Sequence, residues 1–122
     1  MQETVFEPIP SESLRAYAVW EPILRTDEAR AARKATAILP DSRVRHFWTV
    51  GQEVGEIFQS PLSLKGTPAW DVYLVYPPGV EWNGKSPPRP SYFMHQLHQL
   101  PASRRLDADT LAAHLQELLV KH

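Results

Sequence analysis

The sequence predicts an α/β domain, a three-layer sandwich in which a mixed four-stranded sheet ordered 2-1-3-4 carries helices on both faces. Two observations lead there. Short apolar runs of strand length alternate with segments of helical periodicity, and the resulting order is β-α-β-α-β-β-α. Composition agrees: 122 residues, 43% hydrophobic and 22% charged, fit one folded domain that buries about two-thirds of its unfolded surface without a disulfide or metal.

Residues 1–13 hold Pro8, Pro10, Ser11 and Ser13, punctuation that opposes regular helix and suggests an extended arm ahead of a domain spanning 14–122. Residues 14–20 then supply Ala16, Tyr17, Ala18, Val19 and Trp20, a run of the kind buried on both faces at a sheet centre. Glu21 and Pro22 end it. Thr26 can cap a helix over residues 27–39, whose first turn holds Asp27 and Glu28 at the positive end of the dipole. Ala29, Ala32, Ala35, Ile38 and Leu39 give that helix a small-residue face for a sheet, and Pro40-Asp41 closes it.

Residues 44–48 read as the second strand. Thr49 and Gln52 form a capping box for a helix running through Phe58, with Val54, Ile57 and Phe58 as its buried face and a loop from Pro61. Residues 70–76 make the strongest strand, aromatic and β-branched between prolines, and belong in the sheet interior. The stretch 77–90, with Pro77-Pro78-Gly79 and Asn83-Gly84, is a long structured loop. Residues 92–97 are the fourth strand, paired antiparallel with the third in a register joining Tyr76 to Tyr92. Asp107 caps the last helix, whose core stripe is Leu111, Leu115, Leu118 and Leu119 with Leu106 and Leu111 as a staple.

From about Ala16 to His122 this order, with Ala18-Val19-Trp20 as the strand before the reactive loop and Gly66-Thr67-Pro68 as the step into strand three, resembles the thioredoxin superfamily. The resemblance implies a cis peptide between Thr67 and Pro68. It also places Leu24-Arg25-Thr26-Asp27 where the family carries its Cys-x-x-Cys. With no cysteine in the chain, thiol–disulfide exchange is excluded, so the member implied is a non-redox one. The family's groove binds extended peptides beside its Gly-x-Pro step, a use that requires no thiol.

Charge narrows the partners. Thirteen basic against fourteen acidic residues leave no excess to hold phosphate backbones or anionic lipid, so neither nucleic acid nor membrane is expected. The absence of cysteine also removes Cys-ligated zinc and iron–sulfur clusters. No apolar run approaches the roughly 20 residues of a membrane span, and the N-terminus lacks a basic leader region, which makes a cytoplasmic location the expectation. No cofactor is implied.

Three groups of residues can carry function. Trp20 and Trp48 belong at the carboxyl ends of strands, where α/β sheets take ligands. Trp20, Glu21, Pro22, Arg25, Thr26, Asp27, Trp48 and Pro68 are therefore the expected binding residues, with the helix start after Thr26 able to accept an anionic group. Asp71 interrupts an apolar strand, and a buried carboxylate needs a partner, which the expected register supplies as Gln96 or His98. His95 and His98, next to Met94, make a corner at which a soft metal or an Asp-His general base is conceivable, although strict alternation points His95 and His98 to opposite faces. His114 and His122 read as surface residues. The leading expectation is a module binding a protein segment or small ligand at the Trp20 to Asp27 loop beside Pro68. The alternatives are a metal-binding or hydrolytic protein using Asp71 with His95 or His98, and a structural dimer subunit with its Pro-rich loop or a sheet edge as the interface; the chain is expected as a monomer or a homodimer.

Overall fold

A computed structural model describes residues 1–20, 37–49, 53–64, 66, 69–82, 84 and 86–121, with Trp48 described by its backbone alone. In chain order the elements are a π-helical turn at Gln2–Phe6, β1 (Ala16–Trp20), β2 (Val44–Trp48), α1 (Glu53–Ile57), α2 (Gln59–Leu62), β3 (Val72–Val75), β4 (Tyr92–His95), a 3-10 turn at Ala102–Arg104 and α3 (Ala108–Lys121). They fall into two compact units, Met1–Gly51 with Ala108–His122, and Gln52–Asp107.

The strands lie where the apolar runs placed them, but the four-stranded 2-1-3-4 sheet does not form. β1 pairs with β2 in parallel and β3 with β4 antiparallel, as two separate two-stranded sheets. The reason is visible on β1. Its residues alternate between half-buried and exposed, with Tyr17 68% and Val19 42% exposed, so it is a one-sided strand rather than one buried on both faces at a sheet centre.

In the first unit Val5, Phe6, Ile9, Leu14, Val44 and Ala112 form a core, against which Ala16, Ala18, Leu39, Leu115 and Leu119 pack. Two expectations change here. The N-terminal residues, expected as an extended arm, begin with a helical turn, because Pro8 and Pro10 follow the turn instead of interrupting it. α3 begins one residue after Asp107, as expected, but buries Leu111 and Ala112 most deeply, while Leu118 is half-buried. The helix expected over residues 27–39 lies mostly outside the described residues; its last part, Ala37 and Ile38, is helical.

Arg43 joins the N-terminal residues to β2. Its Nε and Nη2 donate to the two carboxylate oxygens of Asp41, each at 2.9 Å, and Asp41 Oδ1 also accepts the Arg43 amide at 2.9 Å. The remaining guanidinium donors reach back to main-chain carbonyls, Nη2 to Phe6 at 2.6 Å and Nη1 to Ile9 and to Ser11. The plane also lies over the Phe6 ring, 5.5 Å from its centroid. Such a planar five-donor fork is what arginine offers and lysine does not. Hydrogen bonds from the Arg43 side chain and amide hold the Asp41 carboxyl down at about 2, against an ordinary 3.8.

In the second unit Leu62, Leu64, Ala69, Leu97 and Leu100 form the core, with Phe58, Val72, Leu74 and Phe93 against it. The helix expected from Thr49 through Phe58 is present over its described part as α1, which ends at Ile57, and a second short helix, α2, follows it. Gln52, the other half of the expected capping box, is outside the described residues. Pro61 does not start a loop; it sits in the first turn of α2, where a missing N–H costs nothing. α1 buries Gly55, whose carbonyl accepts the Ala69 amide at 2.8 Å, while Val54, Ile57 and Phe58 are half-buried. The β3–β4 register pairs Val75 with Tyr92, one residue from the expected Tyr76–Tyr92 pairing. The long loop between these strands is pinned by Tyr76, whose hydroxyl donates to Pro88 O at 2.9 Å, and it turns at Gly79, φ +85°, directly after Pro78.

Replacing Arg43 by Ala should release residues 1–13, seen as new protease cleavage there and a melting temperature lower by roughly 10 °C. Because the folded Asp41 value lies below the unfolded one, its stabilisation is complete above pH 3.8 and is lost as the pH falls toward about 2. Acid titration of the melting temperature should therefore be flatter across that window in Asp41→Asn than in the parent protein.

Candidate functional site

Of the residues expected to bind a ligand, Trp20 alone is described with its side chain. Glu21, Pro22, Arg25, Thr26, Asp27 and Pro68 lie outside the described residues, as do the Thr67–Pro68 peptide and His122, while Trp48 is placed by its backbone as the register partner of Trp20. Trp20 is half-buried and anchored. Its indole N–H donates to His46 Nδ1 at 3.0 Å, and the two rings are nearly parallel, at 8°, with centroids 6.0 Å apart. With Nδ1 accepting, the imidazole proton belongs on Nε2, which is 3.0 Å from Leu39 O. One neutral histidine thus ties the end of β1 to the residues before β2.

The opposite face of this sheet is what the sequence reading missed. Tyr17 and Val19 on β1 alternate outward with Arg45 and Phe47 on β2, and the register sets Tyr17 opposite Arg45 and Val19 opposite Phe47. Phe47 is 50% exposed and its ring lies 6.1 Å from that of Tyr17, tilted by 34°. The signal was present in the chain: alanines at 16 and 18 leave Tyr17 and Val19 on the other side, and Arg45 marks the matching side of β2 as solvated.

Among the described residues β1 is paired on one edge only. Ala16 N donates to Arg43 O at 3.1 Å and Thr49 N donates to Trp20 O at 3.0 Å, so the even-numbered residues of β1 direct their backbone groups toward β2. Backbone polarity alternates along a strand, and Tyr17 and Val19 therefore direct theirs away from it. Among the described residues no strand pairs with that side.

The second expected constellation does not assemble. His95 is fully buried, Nδ1 accepting the Leu97 amide at 2.9 Å and Nε2 donating to Pro101 O at 2.7 Å, so both nitrogens are occupied by main chain. Its own carbonyl accepts the Leu106 amide at 2.8 Å. His98 is exposed on the surface, and its Nδ1 faces the Arg105 guanidinium at 3.3 Å, a cation where a metal would need a ligand. Met94, the soft ligand expected beside them, is buried. Among the described residues no three His, Asp or Glu side chains converge to hold a metal.

Asp71 lies outside β3, in the left-handed region at φ +53°, a conformation that Asp tolerates better than most residues. Its partner is Gln96 and not His98: Gln96 N donates to Asp71 O at 3.1 Å, and Gln96 Nε2 to Asp71 Oδ1 at 3.2 Å. The Tyr73 hydroxyl donates to the same oxygen at 3.1 Å. Burial, then the charge of Asp71 and that hydrogen bond, push the Tyr73 phenol above its ordinary value, which keeps it a proton donor to the carboxylate. Asp71 thereby closes the open end of the β3–β4 pair. Trp70 beside it and Trp82 in the long loop are 41% and 48% exposed, so neither completes a core, although Trp82 meets Phe58 edge-on at 5.9 Å.

No helix among the described residues is long and apolar enough to cross a membrane. Compared with protein-family models, curated proteins and solved structures, the chain matches none of them.

His95→Ala should leave the Leu97 amide and the Pro101 carbonyl without their partner and cost about 3 kcal/mol of stability in denaturant unfolding. His98→Ala should change it by no more than about 0.5 kcal/mol. Equal effects of the two substitutions would contradict the structural role assigned to His95.

Proposed function

We propose that the chain is a non-redox binding module that takes up an extended segment of another protein along the outward edge of β1. The observation that carries this reading is the combination at Tyr17 and Val19. Their side chains stand exposed on an apolar face, and their backbone groups point to an edge that no described strand occupies. An edge of this kind is completed by strand addition, in which main-chain hydrogen bonds supply affinity and alternate side chains supply selectivity. A small molecule lacks the repeating donors and acceptors that such an edge matches.

The reading keeps the thiol-free peptide binding implied by the resemblance to thioredoxins but shifts the surface. Trp20, on the same strand, is held by His46 through its indole N–H. Histidines 95 and 98, being engaged with main chain and with Arg105, support no competing catalytic reading.

In the free protein the Tyr17 and Val19 amides should exchange with solvent rapidly while those of Ala18 and Trp20 are protected. Binders selected from a library of extended peptides should slow exchange at Tyr17 and Val19. Val19→Pro removes one outward donor and should weaken that binding at least tenfold without unfolding the protein, since edge strands tolerate proline. Protection of Tyr17 and Val19 in the free protein would refute the proposal.

A further inference from the structure

We infer that the segment taken up at β1 carries a glutamate opposite Tyr17 and an apolar residue two positions away opposite Val19, and that Arg45 reads the glutamate. The inference rests on the edge-binding reading above and names the partner's chemistry. Arg45 stands exposed in the middle of the outer face, in register with Tyr17 and flanked by Phe47. Several other described arginines are engaged, Arg15 among them with the Glu12 and Leu14 carbonyls. Arg43 holds Asp41 and three carbonyls, Arg104 lies over the Tyr92 and Phe93 rings at 4.6 and 5.4 Å, and Arg105 faces His98. No acceptor or carboxylate meets Arg45 among the described residues.

A carboxylate brought beside an unpaired cation on an apolar surface gains a charge-assisted hydrogen bond that a neutral or cationic side chain does not. Strand geometry says where that anion must be. A segment added to β1 lies one strand spacing beyond it and Arg45 one spacing on the other side, so the two backbones are about 10 Å apart. An extended arginine and a glutamate together cover that span above the Tyr17 ring, with the arginine stem lying on the apolar surface and its planar head offering a bidentate grip. An aspartate is one methylene shorter and falls at the limit. Alternation then dictates the neighbour: two residues from the glutamate the segment again faces outward, over Val19 and within reach of Phe47, and an apolar side chain fits there.

The test uses the full chain and four end-blocked peptides of alternating threonine and valine, in which the valine meant to lie opposite Tyr17 is replaced by Glu, Asp, Gln or Lys. Titration is followed by the amide shifts of Tyr17 and Val19. The expected result is an order Glu, Asp, Gln, Lys, with Glu about tenfold tighter than Lys at low salt and the margin shrinking as salt is added. Arg45→Glu, an exposed substitution whose fold is checked by circular dichroism, should reverse the order. Equal binding of all four peptides with Tyr17 and Val19 still perturbed would overturn the role of Arg45 and leave edge binding intact. No perturbation at Tyr17 and Val19 by any peptide would overturn both.

Discussion

The architecture of the first unit depends on one side chain. Arg43 sits at the turn before β2 and spends its donors on Asp41 and on the carbonyls of Phe6, Ile9 and Ser11. Its side chain is 9% exposed, which means the charge has been taken out of water and must be fully met where it lies. Because three of its acceptors come from residues some thirty positions earlier, meeting that charge and placing Val5, Phe6 and Ile9 in the core are a single event. The parallel pair of strands has a covered inner face because the N-terminal residues are held there, and the outer face is left to Tyr17, Val19, Arg45 and Phe47.

Both units use histidine in the same way. His46 and His95 each accept an N–H at Nδ1, and each brings Nε2 to a main-chain carbonyl. A neutral imidazole is a rigid spacer with one acceptor and one donor on opposite sides, suited to joining two stretches of chain that lack a shared ladder. In small sheets of two strands, where ladder bonds are few, such spacers take over part of the work of a third strand. The chemistry that makes histidine an attractive catalytic residue in a sequence is the same chemistry that fits it for this role.

How much was legible follows from that. Strand positions were, because apolar runs bounded by prolines and turn residues are a local property, and residues 44–48 were placed to the residue. Strand partners were not, since pairing depends on which edges find each other. The β3–β4 register was missed by one residue, enough to exchange Leu97 for Gln96 as the neighbour of Asp71. The sequence reading recognised that Asp71 needed a partner but not that its backbone left the strand. Arg43 was invisible, since nothing in an arginine beside a turn says that its acceptors lie in residues 6–11. The exposed face was missed through treating Tyr17 and Val19 as buried on account of their type, when Ala16 and Ala18 beside them already showed which side was the narrow one.

The first unit is discontinuous, Met1–Gly51 being completed by Ala108–His122. Val5 and Phe6 share a core with Ala112, so that core has to wait for α3, which is synthesised only after the whole of the second unit. Unit two, closed within residues 52–107, depends on nearer contacts and is free to form first. During synthesis the part of this core that α3 completes stays open for the time it takes to make about sixty residues, several seconds at ordinary elongation rates. The outward edge of β1 is present throughout that interval, so the chain's exposure to mispairing is set in part by the order in which it is made.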